Sequence, residues 1–476
     1  MELLITSTLP IFCYTILQAL ASTALSIVLA LPLAHFLYRF DFAFKRFFIA
    51  LLPLLCIMPC KLAALGTMAS FNFTGLIGII AAHCALNIPF ALYLLLAHYN
   101  RSDSTWEKIA RQLGASTWQV YKDIYLPLLK PTIQSASIII FLLCFSSFSI
   151  PLLLGTHEYH MTLDIKISQL YTSNEGWSAL LYFLMRLAVV VPLSMTYMHN
   201  ATAWAPIKHN NQPKCTERYT PGIHGYGWLL YCVAPLVMII IPFVALMHTM
   251  LNENLFHFFA QVINGDNDPF LHIALYIVMR NSIVLACASA IGSVIVGFMA
   301  YTFFYATSHT RTKKTVATLA TLPFILGNAG CGIITAWLLA SPTMPPFVIA
   351  TVCHIVLNFP FAYRIMTTQR TGWHHEWTLL AQNFGATRWD QLTTLDWPFL
   401  RIAMYQAFCI SFGLSLTEVG AVSILSGTTG MTMSAAIHTY RQHNFMPGVM
   451  GLSLLLLLFV FFASYGCTLY QHRAEQ

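Results

Sequence analysis

Apolar runs, each about as long as a bilayer is thick, recur from one end of the chain to the other. Eleven are present, at 10–38, 47–68, 74–98, 132–154, 177–198, 227–250, 272–304, 315–340, 346–366, 402–426 and 446–469. A helix needs about 20 residues to cross the hydrocarbon core, whereas a barrel strand needs only about ten. Inside that core the backbone finds no water, so a segment that spans must be one or the other. Runs of this length predict an all-α, polytopic membrane protein with about eleven transmembrane helices, the longest of them tilted. Only 9% of the residues are charged, against about a quarter in a soluble globule, too few to cover a surface facing water.

The basic residues report orientation. With the N-terminus outside, 19 of the 24 Lys and Arg fall in inner loops, as the positive-inside rule requires. Arg39, Lys45 and Arg46 occupy the first of these loops, and Arg101, Lys108, Arg111, Lys122 and Lys130 the second. An odd number of spans then puts the C-terminus inside, and the expected location is a bacterial inner membrane. The same placement accounts for a net charge of +7 without a nucleic-acid partner. Several of the twelve cysteines, among them Cys144, Cys232, Cys287 and Cys353, lie inside apolar runs, and no CxxC pair occurs. They read as small apolar helix residues. The opening MELLITSTLP lacks the basic region of a signal peptide. His157, Glu158 and His160 sit together in an outer loop, but so short a cluster rarely completes a coordination shell, and no metal is expected. The least apolar stretch, 201–225, carries Pro, Asn and charge, and reads as a cytoplasmic linker between a first unit at 1–200 and a second at 226–476.

The two units repeat one another. His83, Asn87, Pro89, Phe90 and Ala91 match His354, Asn358, Pro360, Phe361 and Ala362 at a constant offset of 271 residues. At the same offset Trp106, Ala110, Gly114, Ala115, Trp118 and Pro127 match Trp377, Ala381, Gly385, Ala386, Trp389 and Pro398. Such regular self-similarity marks a duplication. Six runs separate the copies, an even number, so the halves (five and six spans) form a parallel repeat with both loops on the inner side. Ion-driven carriers built from inverted repeats need an odd number between copies.

Each repeated loop is too short and too polar to span. In the first, Trp106, Ile109, Ala110 and Leu113 recur at helical spacing and form one apolar face. Gly114 is expected to end that helix in the left-handed conformation, and Pro127 to start, or bend into, the next membrane helix. One such helix alone reads better as an interfacial anchor. Two at identical spacing suit a two-fold partner. Asn87 and Asn358, just before prolines inside spans, are placed to support the carbonyls those prolines free.

A Gly followed ten residues later by an Ile/Leu-x-Leu-Pro ending resembles the EAA loop of binding-protein-dependent ABC importer permeases. Gly114, Ile124, Leu126 and Pro127 fit it, as do Gly385, Leu395 and Pro398, with Trp397 in place of Leu. The Glu of that loop is replaced by Lys108 and Leu379, with Glu107 one residue away. Two such loops in one chain resemble the fused permeases for thiamine and for ferric iron. LLCFSSFS (142–149), SLTEVGAVSIL (415–425) and the tail 439–458 look more like the thiamine subgroup. The resemblance implies a type I importer fold and a solute, thiamine or alternatively ferric iron, delivered by a periplasmic or extracellular binding protein. It also implies a homodimeric cytoplasmic ATPase that grips the loops at 104–118 and 375–389, through Trp106, Ala110, Gly114, Ala115 and Pro127 and through Trp377, Ala381, Gly385, Ala386 and Pro398. The chain has no Gly-x4-Gly-Lys-Ser/Thr motif with which to cradle ATP itself. No cofactor, no catalytic residue and no enzymatic activity are expected of it. An ion-gradient-driven secondary carrier is the alternative of another class.

Glu418 stands in an apolar run, and an acid in the membrane is costly unless paired or wet. It is therefore the leading pathway candidate, with Arg280 or Arg186 as possible structural partners. Ser146 or Ser147 occupies the equivalent place in the first half. Gly327, Gly330 and Gly332 in LGNAGCGI either break a helix toward a cavity or allow close helix packing.

Overall fold

The computed structural model describes residues 2–41, 45, 48–49, 52, 55, 60–101, 105–155, 161–201, 217–218, 236–237, 239–242, 244–249, 251, 258–260, 268–306, 323, 326–328, 330–339, 345–371, 380–420 and 431–475. The helices of the first part are α1 (Glu2–Arg39), α2 (Cys60–Phe71), α3 (Gly75–Arg101), α4 (Thr105–Gln112), α5 (Thr117–Val120), α6 (Leu126–Phe145), α7 (Ser149–Leu154), α8 (Leu163–Thr172) and α9 (Gly176–Ala201). They are followed by α10 (Leu275–Ala306), α11 (Pro346–Thr371), α12 (Arg388–Asp390), α13 (Trp397–Thr417), α14 (Met433–Gln442) and α15 (Met446–Glu475). A two-residue parallel ladder joins β1 (Phe40–Asp41) to β2 (Glu217–Arg218), tying part of the 201–225 stretch to the end of α1. Eight of the described helices are long and apolar enough to cross a membrane, and Ile239–Thr249 and Leu326–Leu339 are shorter apolar helices.

Two compact units emerge: Met1–Leu163 with Leu184–His248, and Asp164–Phe183 with Thr249–Gln476. In the first, α1 packs on α3 and α6, and α2 and α7 pack on α3 around Ala64, Ile79, Ala82, Ile150 and Leu154. In the second, α10, α11 and α13 pack together around Val294, Tyr301, Ala362, Met366, Leu400 and Ala403. Lipid is as apolar as leucine, so helices in a bilayer are held by close packing and by polar contacts. Gly297 permits the first of these: a Cβ there would lie 2.8 Å from the Ala362 Cβ on α11.

The polar contacts form a separate seam within each unit. In the first, Ser22 Oγ and His83 Nδ1 share a hydrogen bond at 3.3 Å, Gln18 Nε2 donates to the Cys144 carbonyl at 2.9 Å, and Asn87 Nδ2 donates to Cys144 Sγ at 3.1 Å. In the second, His354 Nδ1 and Ser415 Oγ lie 2.6 Å apart, Ser289 Oγ donates to Ser415 Oγ at 2.8 Å, and Asn358 Nδ2 donates to the Ser411 carbonyl at 3.4 Å. This corrects the expectation for the two asparagines. Their amides bond across to α6 and α13, rather than to carbonyls freed by proline in their own helices. A neighbouring helix offers acceptors inside a dry interface, where bridging helices is worth about 1 kcal/mol.

The run at 132–154 is also corrected. The helix begins earlier, at Thr117, and stops at Phe145; α7 starts only at Ser149. Likewise α13 stops at Thr417, within the run at 402–426. Apolarity alone does not register these breaks, which fall at serines and at Glu418. Such side chains compete with the helix for backbone hydrogen bonds.

Candidate functional site

Two places in each unit concentrate the singled-out residues: an elbow between helices, and a break inside a membrane helix.

The elbows have the same backbone, built from local sequence. Gly114 and Gly385 both adopt positive φ, at 84° and 76°. The N–H of Gly114 donates to Arg111 O and that of Ala115 to Ala110 O, each at 3.0 Å. At the second elbow Gly385 donates to Gln382 O at 2.9 Å and Ala386 to Ala381 O at 3.0 Å. These bonds close the preceding helix through a left-handed residue, a conformation that glycine adopts without penalty. The next helix is then capped. Ser116 and Gln119 form a reciprocal capping box. Thr387 donates through N and Oγ1 to Asp390 Oδ2 at 2.9 and 2.6 Å, while Asp390 N donates to Thr387 Oγ1 at 3.2 Å. These bonds hold the exposed Asp390 carboxyl below its ordinary value.

After each cap the chain widens into a π-turn, Tyr121–Tyr125 and Gln391–Asp396. The Leu126 N–H reaches Tyr121 O, and the Trp397 N–H reaches Leu392 O. A proline follows at once, Pro127 and Pro398, each in the first turn of its helix. A proline ring collides with the carbonyl four residues back in a regular α-helix, and a wider turn moves that carbonyl aside. Neither proline therefore interrupts its membrane helix.

What the elbows present is apolar. Trp106 is 66% exposed and Leu113 83%, and Ile109 is exposed as well. Ala110, Ala115, Ala381 and Ala386 are half-buried, and Gly114, Gly385, Pro127 and Pro398 are exposed. Trp377 lies outside the described residues, as do His157, Glu158 and His160. The apolar face of α4 thus points away from its own unit, and the buried residue of α4 is an acid, Glu107. Arg111 Nε donates to Glu107 Oε1 at 2.9 Å, and the Tyr125 hydroxyl donates to Glu107 Oε2. Sequence reasoning missed Glu107, although an acid four residues before an arginine is a readable helix pair.

The second elbow has a different backing. Phe298 meets Trp397 edge-on at 5.9 Å. A groove of about 480 Å³ opens there, lined by Phe298, Met299, Thr302, Trp389, Leu392 and Trp397.

The helix breaks carry opposite charges. In the first unit Ser146 caps α6, and the buried Arg186 donates from Nη2 to Ser146 Oγ at 2.7 Å. In the second, Glu418 caps α13 with extended backbone (ψ 135°) and accepts from Asn328 Nδ2 at 2.6 Å. Asn328 follows Gly327, whose φ is +66°. Gly330 packs tightly instead: a Cβ there would lie 2.6 Å from the Phe183 ring. Glu418 and the glycine-rich segment are therefore joined through Asn328, a residue with no signal of its own in the sequence. Arg280, considered as a partner for Glu418, has its Nη2 3.5 Å from Asn281 Oδ1.

Comparison with known proteins bears on the class. Residues 12–204 match the family described as binding-protein-dependent transport system inner membrane component, so this part of the chain is similar to the multi-pass inner-membrane permeases of ABC importers, in keeping with the eight described helices long and apolar enough to cross a membrane. Along most of its length it resembles proteins named thiamine transport system permease protein. That of Brucella abortus (strain 2308) is 24% identical over 460 residues, covering 88% of this chain and 80% of the relative. That of Escherichia coli (strain K12) is 24% identical over 483 residues, covering 94% and 86%. That of Haemophilus influenzae is 22% identical over 479 residues, covering 94% and 87%.

Proposed function

We propose that this chain forms the membrane pathway of an ATP-driven importer for thiamine, with both permease halves in one polypeptide. The repeated elbow is the observation that carries the reading: the same Gly-cap-π-turn-Pro geometry occurs twice, and at the first elbow an apolar face is turned outward. A two-fold motor suits two such sites. In this reading a homodimeric ATPase on the cytoplasmic side grips 104–118 and 375–389, and ATP is bound there and not in this chain. A binding protein delivers solute to the other face. ATP-driven closure of the dimer biases a bundle with two arrangements, open outward or inward. The N-terminus lies outside and the C-terminus inside. The linker at 201–225 separates the halves, and Glu418, Ser146, Gly327 and Gly330 border the solute path.

Thiamine is favoured over ferric iron by the names of the relatives and by Glu418, whose carboxylate suits an organic cation. The test is uptake into proteoliposomes holding this chain and its ATPase, with binding protein and labelled thiamine outside and ATP inside. ATP-dependent thiamine accumulation is expected, with no accumulation of ferric iron. Accumulation driven by an ion gradient without the ATPase would overturn the importer reading in favour of a secondary carrier.

A further inference from the structure

The carboxylate of Glu107 is buried in an amphipathic helix whose other residues are exposed or half-buried. Burying an acid costs several kcal/mol unless partners compensate, so its partners should have a purpose. Tyr125 donates to it from the π-turn that leads into α6. Tyr125 is in turn walled by aromatic rings from two more helices. Tyr38 of α1 meets it edge-on at 5.7 Å, Tyr99 of α3 lies at 5.3 Å, and His35 of α1 lies at 5.6 Å. Tyr38 and Tyr99 stack on each other at 4.7 Å. One carboxylate thus ties α4 to Tyr125 of the π-turn, and rings of α1 and α3 pack on that tyrosine. At the second elbow the offset of 271 puts Thr378 in place of Glu107, Gln382 in place of Arg111, Leu392 in place of Tyr121 and Asp396 in place of Tyr125.

We propose that Glu107 and Tyr125 form a clamp that makes the first elbow a rigid lever, passing displacement of α4 into the helix ends that Tyr125 packs against. Both are positioning residues: they touch no solute, and act by fixing how the outward face of α4 follows the membrane helices. The proposal rests on the reading that an ATPase grips this elbow. Without the clamp α4 still presents Trp106, Ile109 and Leu113, so the motor binds, but its stroke is absorbed by movement of α4 against α6.

The experiment measures thiamine taken up per ATP hydrolysed in proteoliposomes, together with co-purification of the ATPase. Tyr125→Phe removes one hydroxyl and leaves the ring packing in place. It is expected to co-purify with the ATPase and to lower uptake per ATP by about tenfold or more, the scale of a hydrogen bond to a charged group. Glu107→Ala should do the same, and Glu107→Gln, which keeps an acceptor for the tyrosine, should recover part of the ratio. A wild-type ratio in both Tyr125→Phe and Glu107→Ala would overturn the clamp. So would loss of ATPase binding in Tyr125→Phe, because the contact would then be building the docking face and not transmitting its motion. Failure of the importer reading looks different: wild-type chain would show no ATP-dependent uptake at all.

Discussion

The first and second elbows share a backbone and differ in what stands behind it. Both close a helix through a left-handed glycine, cap the next one reciprocally and relax into a π-turn before proline. Behind the first lies a hydrogen-bonded carboxylate among tyrosines, and behind the second an apolar groove edged by tryptophans. The backbone shape depends on a few residues with no substitutes, whereas the backing accepts any set of side chains that fills the space. The helix breaks differ as well, with Arg186 and Ser146 in one unit and Glu418 and Asn328 in the other.

The strongest way to break the comparison is deletion. If the elbows are equivalent grips, removing 104–118 or removing 375–389 should each abolish co-purification with the ATPase; full recovery after either deletion would show that one elbow suffices. Next comes Glu418→Gln, expected to lower uptake of a cationic solute by about tenfold, because an amide cannot replace a charged partner worth roughly 1.5 kcal/mol or more. Assembly with the ATPase should persist, and unchanged uptake would remove Glu418 from the path.

A smaller effect is expected at the two glycines. A Cβ would meet nothing within 4 Å at either Gly114 or Gly385, so alanine there costs only the left-handed conformation, about 1 kcal/mol. Hydrogen exchange at each elbow should speed up to the same extent; acceleration at one elbow alone would show that their backbones are not equivalent. The smallest effect is one of pH. Asp390 is held below the usual 3.8 by its bonds with Thr387. The stability those bonds supply is complete above the ordinary value and is lost as pH falls through the lowered one. Acidification below about pH 3.8 should therefore loosen the cap at 387–390, after correction for intrinsic exchange, and leave the uncharged Ser116–Gln119 box intact. Equal loosening of both would refute a carboxylate origin.

Much of this was legible without coordinates. The spans follow from run length, and the elbows from a constant offset carrying Gly114, Gly385, Pro127 and Pro398. Breaks at Ser146 and Glu418 were hidden, because a hydropathy run counts side chains and not where the backbone leaves the helix. The inward turn of Glu107 was hidden too, since an acid on a polar helix ordinarily faces water.

Residues near one another in the chain determined the membrane class, the duplication and the bend of each elbow, because helix length, left-handed glycine and proline geometry are local properties of the backbone. Only the tertiary structure decided that Glu107 meets Tyr125, that Asn328 meets Glu418 and that Asn87 reaches across to Cys144. Those partners lie 18, 90 and 57 residues apart. Which distant side chains meet depends on how whole helices pack against each other, and that packing is a collective property no single segment encodes.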